Sequence, residues 1–111
     1  MESKYLLLNE KTKHEIQNYL PSPSQAEKLA SYFQIFSDET RIKIISCLAM
    51  SDMCVNDISI LLKINQTTIS HQLKYLKSCG IITCKRNGKL IIYSLKNQET
   101  NDIMLYAVNA I

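Results

Sequence analysis

Between Asn65 and Leu95 the hydrophobic period changes once, and that change confines the fold more than any other feature of the chain. In INQTTISHQLKYLKSCG, at ~100° per residue, Ile69, Leu73 and Leu76 fall within an arc of roughly 60°, which predicts a helix with one apolar stripe. Asn65 stands where a side chain must accept from the first free amides, and Gly80 where the helix must stop. The next stretch, IITCKRNGKLIIYSL, is two β-branched runs on either side of Asn87-Gly88, a dipeptide expected to form a two-residue hairpin turn. Gly80 and Gly88 are the only glycines, so no glycine-rich loop exists to cradle a nucleotide phosphate.

The preceding segments are also helical. Ser24 is expected to cap a helix over 24–36, because Glu27 lies at the capping-box spacing, with Ala26, Leu29, Ala30, Phe33 and Phe36 on one face. Ser37 or Asp38 is expected to cap the next, with Ile42, Ile45, Leu48 and Ala49 inward. SDMCVNDISILLKIN reads as a turn and a short helix over about 54–62. The few residues around Lys63-Ile64-Asn65 then join it to the next helix as a helix-turn-helix. NEKTKHEIQNYL predicts a short first helix with Ile16 and Leu20 on one side, and the final QETNDIMLYAVNAI is helical. The expected fold is mainly α with a β-hairpin (α+β). It is a winged helix-turn-helix over 24–111, with an N-terminal arm over 1–23 and terminal helices that dimerise. The last helix is apolar nearly all round, from Ile103 to Ile111, which in so small a chain suits burial against a second subunit.

Charge is distributed unevenly. The 111 residues carry a net +3, yet Ile58 to Gln98 hold Lys63, Lys74, Lys77, Lys85, Arg86, Lys89 and Lys96 with no Asp or Glu, which points to a polyanionic partner. No apolar run approaches a membrane span and no signal peptide is evident, so the expected compartment is the cytoplasm, away from any membrane. Cys47, Cys54, Cys79 and Cys84 form no Cys-x-x-Cys pair and are read as reduced thiols, and Cys47 and Cys84 are expected to pack as small hydrophobes.

The polar side of the 66–78 helix lacks the glutamates that an ordinary solvent face mixes with lysine. Its neutral donors and acceptors suit base edges and its lysines suit phosphates. The expected partner is double-stranded DNA, met by Gln66, Thr67, Thr68, Ser70, His71, Lys74 and Tyr75 on this helix and by Lys85, Arg86 and Lys89 around the hairpin tip.

From Leu29 onward the chain resembles the ArsR/SmtB family of bacterial winged-helix repressors, through FSDETRIKIISCL, MCVNDIS, INQTTISHQLKYLKSCGII and RNGKLIIYSL. Glu39 stands where the family usually has proline. The resemblance implies a homodimer joined through its first and last helices, bound to an imperfect palindromic operator and released by an inducer, commonly a metal ion. By matched position Gln66, Thr67, Ser70 and His71 correspond to residues that contact bases and phosphates.

The sensing sites that the family implies are halved here. Cys54 matches the first thiolate of a Cys-x-Cys pair, but Asn56 stands at the second, and the arm offers His14, Glu10 and Glu15 without a cysteine. On the last helix the matched ligand positions are Asn97, Glu99 and Ala110; on the 66–78 helix Cys79 is paired with Tyr75. No metal-binding residues are therefore assigned and no cofactor is established. The sensor candidate is Cys54, by a soft metal ion or thiol modification, since its place at a helix start favours the thiolate.

The leading function is thus a sequence-specific DNA-binding regulator, a dimeric repressor released by a metal or thiol-reactive signal. The alternative is a winged helix serving protein–protein interaction without sequence-specific DNA binding. Catalysis is not expected, because His14 and His71 are the only histidines and no cysteine has an evident partner.

Overall fold

Ile44, Ile45, Ile58, Ile69, Leu73 and Leu76 lose all contact with solvent, and Ile82 nearly all. The computed structural model describes residues 4–111; residues 1–3 of the expected arm lie outside the described residues. The order is α1 (Glu10–Tyr19), α2 (Pro23–Gln34), a short 3₁₀ turn (Ile35–Ser37), α3 (Glu39–Met50), α4 (Val55–Leu62), α5 (Gln66–Ser78), β1 (Ile82–Asn87), β2 (Leu90–Leu95) and α6 (Glu99–Ala110). By internal contacts the chain separates into a unit ending at Gln34 and a unit running from Ile35 to Ile111.

In the first unit, Asn9 caps α1 by accepting from the Thr12 amide at 2.8 Å. The cap of α2 is Ser22, not Ser24 as expected. Ser22 Oγ accepts from the Gln25 amide (3.2 Å) while Gln25 Oε1 accepts from the Ser22 amide (2.9 Å), a reciprocal capping box. Pro23 explains the shift. Proline disfavours helical geometry in the residue before it and suits the first helical position, so the boundary falls between Ser22 and Pro23. At the other end α2 stops at Gln34, and Phe36 lies in the 3₁₀ turn instead of on the helix face.

In the second unit Asp38 is the α3 cap, accepting from the Arg41 amide at 3.0 Å. The buried side of α3 is Ile44, Ile45 and Leu48, while Ile42, expected inside, is exposed. The helix touches α4, α5, β2 and α6, and this many-sided packing turns its stripe toward Ile44.

Helix α4 ends at Lys63, whose left-handed backbone (φ 56°) makes the sharp turn into α5. The Lys63 and Ile64 amides both donate to the Ser59 carbonyl, and Ser59 Oγ donates back to the Ile64 carbonyl. Asn65 then accepts from the Thr68 amide at 2.8 Å, as expected of an N-cap. At the far end Gly80 (φ 75°) donates to the Lys77 carbonyl and Ile81 to the Leu76 carbonyl, the paired bonds of a Schellman stop. The apolar contact such a stop favours is available, since Leu76 and Ile81 are both buried.

The hairpin is shifted by one residue from the expected turn. Asn87 pairs with Leu90, so Gly88 and Lys89 form the loop. Gly88 alone takes a positive φ (63°), the requirement of a II′ turn at its first position, and Lys89 needs none. Across the pairing, Ile82, Cys84, Arg86, Ile91, Tyr93 and Leu95 share the inner face, and Thr83, Lys85, Asn87, Leu90, Ile92 and Ser94 the outer. The segment before α4 adds a strand-like bridge to this ribbon. Met53 donates to Tyr93 at 3.2 Å and accepts from it at 2.8 Å, where the sequence reading expected only a turn.

Candidate nucleic-acid interface

With Ile69, Leu73 and Leu76 turned wholly inward, the remaining sides of α5 are committed to solvent or to their neighbours. Gln66, Thr67, Ser70, His71, Lys74 and Tyr75 are exposed, whereas Thr68 is half-buried and gives its amide to the Asn65 cap. Lys85, Arg86 and Lys89 are exposed at the wing tip, where Arg86 Nε donates to the Gly88 carbonyl at 3.2 Å and braces the turn. No Asp or Glu occurs among these residues or anywhere between them in the chain, so helix face and wing tip carry one sign of charge.

Two polar contacts tie α5 to its neighbours. Gln66 Nε2 donates to Asn56 Oδ1 of α4 at 3.0 Å, and Gln72 Nε2 reaches Asp38 Oδ2 at 3.4 Å. The first bond uses one of the two amide hydrogens of Gln66, leaving a donor and the carbonyl oxygen for the bidentate pattern that suits adenine.

Arg41 was not among the residues expected at the site. Its guanidinium lies 4.6 Å from the centre of the Tyr75 ring, and its Nε donates to the Ile35 carbonyl at 2.8 Å. Three residues past the Asp38 cap, nothing in the local spacing of Arg41 announces a contact with a helix more than thirty positions away. The Tyr75 phenol is also hydrogen-bonded to Cys79. That bond raises its pKa first, desolvation and the charge of Cys79 add to the rise, and Arg41 pulls the other way.

Cys54 is the N-cap residue of α4, half-buried, with no side-chain capping bond. Cys47 and Cys84 are half-buried and Cys79 is exposed; burial pushes the Cys47 thiol up. Among the described residues no three His, Cys, Asp or Glu side chains gather as a metal site, and no helix is long and apolar enough to cross a membrane.

This geometry meets its counterpart in known proteins. Residues 38–83, from the α3 cap through α5 to the start of the wing, match the family described as bacterial regulatory protein, arsR family. The cadmium resistance transcriptional regulatory protein CadC of Listeria innocua is 37% identical over 82 residues, which cover 73% of this chain and 69% of that one. The chain belongs to the ArsR family. The transcriptional repressor SdpR of Bacillus subtilis is also 37% identical, over 79 residues covering 71% of this chain and 88% of SdpR. Among solved structures, the AntR antimony-specific transcriptional repressor superposes with a TM-score of 0.75 at 22% identity, covering 82% of this chain and 83% of AntR, a likeness that concerns the fold. This ArsR-family chain is accordingly a DNA-binding transcriptional regulator with a winged helix-turn-helix fold, and its family comprises regulators of transcription, not enzymes. Regulators of the family bind DNA operators, typically as dimers.

Proposed function

We propose that this ArsR-family regulator is a homodimeric, cytoplasmic repressor that reads an imperfect palindromic operator through α5 and the wing. Gln66, Thr67, Ser70 and His71 face the bases and nearest phosphates, Thr68 supports them from the cap, and Lys74, Tyr75, Lys85, Arg86 and Lys89 hold the backbone. The observation that carries this reading is the exposed, acid-free side of α5 continuous in sign with the basic wing tip. The second subunit is supported by α6, where Leu105, Tyr106 and Val108 stand exposed beside Ile103. Residues 1–23 serve as an arm to the DNA-binding domain over 24–111. Selection from a random duplex library tests the proposal. The expected result is an enriched palindrome with half-sites about one helical turn apart. Equal affinity for every duplex would refute it and leave the protein-interaction alternative.

For release, Cys54 is the candidate sensor, through a soft metal ion or thiol modification. Two residues beyond it, Asn56 holds Gln66 at the start of α5, so a group added at Cys54 acts one bond away from the reading face. The relation of CadC to cadmium resistance makes Cd²⁺ the first probe. DNA release is titrated with Cd²⁺, As(III) and polysulfide on wild type and Cys54→Ser. Release of wild type alone supports Cys54; release of both proteins, or of neither, removes it.

A further inference from the structure

β2 is apolar on both faces at its turn end. Ile91 and Tyr93 lie on the inner face, where Ile82 is buried, but Leu90 and Ile92 lie on the outer face with Lys85 and Asn87. Leu90 is 54% exposed and follows Lys89 directly. A single exposed leucine is ordinary on a protein surface. This one stands at the most projecting point of the wing, among Lys85, Arg86 and Lys89, within a stretch of chain that holds no acid. The bond from Arg86 to the Gly88 carbonyl stiffens the loop that carries it.

We propose that Leu90 is an apolar minor-groove contact, inserted between phosphates held by the lysines and arginine around it. The occupant of this patch is DNA and not a protein segment, because every charged group around Leu90 is cationic and its natural complement is a polyanion. The minor groove, about 6 Å wide, excludes a β-ribbon but admits single side chains from its tip, and apolar side chains are used there against sugars and between base steps. The contact rests on the DNA-binding function proposed above and extends it: Leu90 supplies affinity that carries no charge, whereas its neighbours supply affinity that salt removes.

The two contributions separate in a salt titration on the selected duplex with wild type, Leu90→Ser, Leu90→Met and Lys89→Ala. Leu90→Ser is expected to bind roughly tenfold more weakly at every salt concentration, the loss of one buried leucine contact, with the slope of log K against log salt unchanged. Leu90→Met, which keeps apolar length, is expected within about twofold of wild type, while Lys89→Ala flattens the slope. Leu90 makes no printed tie to the core, so the melting temperature of Leu90→Ser is expected to match wild type and to exclude misfolding as the cause. Wild-type affinity in Leu90→Ser, or a loss that Leu90→Met shares in full, overturns the proposal alone. A wild-type chain without affinity for any duplex overturns the DNA reading and this contact with it.

Discussion

If the four exposed cations Lys74, Lys85, Arg86 and Lys89 each neutralise one phosphate, a dimer makes eight such contacts. Each contributes a slope of about −0.9 in log K against log salt on duplex DNA, for a total near −7. Between 50 and 200 mM salt the affinity then falls by about 10⁴-fold. Lys89→Ala removes two contacts per dimer and is expected to bring the slope to about −5, with all sequences weakened alike. The alternative assignment is equally definite. If only the two wing-tip side chains Arg86 and Lys89 reach phosphates, the slope is near −4 and Lys74→Ala leaves it unchanged. Fluorescence anisotropy of a labelled duplex, read from 50 to 300 mM KCl, measures it. A wild-type slope shallower than about −3, or a Lys89→Ala slope equal to wild type, refutes the placement of these cations on the backbone.

Gly80 and Lys63 end successive helices in the same left-handed geometry, one without a side chain and one with it. A Cβ at Gly80 meets nothing within 4 Å, so Gly80→Ala is expected to cost only backbone strain, about 1 kcal/mol net of the entropy lost by the unfolded chain. Lys63→Gly relieves the same strain and is expected to be neutral to about 1 kcal/mol stabilising; urea denaturation at fixed protein concentration reads both. Cys79 is expected to alkylate before Cys47 at neutral pH, because burial raises the Cys47 pKa and starves it of thiolate, and mass spectrometry of timed iodoacetamide quenches shows the order. The folded chain thus holds the Cys47 proton more tightly than the unfolded chain does. That contribution to stability is complete below the ordinary thiol range and is lost as pH rises through the raised value.

The sequence made the helix-turn-helix and the α5 stripe legible because each rests on side chains that repeat at a fixed period or on a cap within four residues. Asn65, Gly80 and the trio Ile69, Leu73 and Leu76 all stand in the structure as the sequence reading placed them. Features decided by competition between near-equal local choices were not legible. Ser22 and Ser24 are both good caps, and only the backbone restriction imposed by Pro23 selects the first. Asn87-Gly88 and Gly88-Lys89 both make two-residue turns, and the choice of one residue decides that Leu90 shares a face with Lys85. Met53 joins the wing through backbone atoms alone, which leave no mark on residue type.

The same division governs how the reading helix is held. Truncating a buried leucine such as Leu73 or Leu76 costs about 2–5 kcal/mol, while a polar tie such as Gln66–Asn56 or Gln72–Asp38 contributes about 1 kcal/mol net. The stripe therefore fixes where α5 lies, and the ties adjust only its tilt and the rotamers of its first turn. Evenly matched polar bonds of this size are also the ones that an added ligand or a competing base can exchange. Gln66 occupies both roles, as a tie to α4 and as a donor toward DNA, so its hydrogen bond to Asn56 is weak enough to be rearranged on binding without moving the helix. A signal that acts on α4 needs to shift that bond by only about 1.4 kcal/mol to change DNA affinity tenfold, far less than the cost of dislodging the stripe.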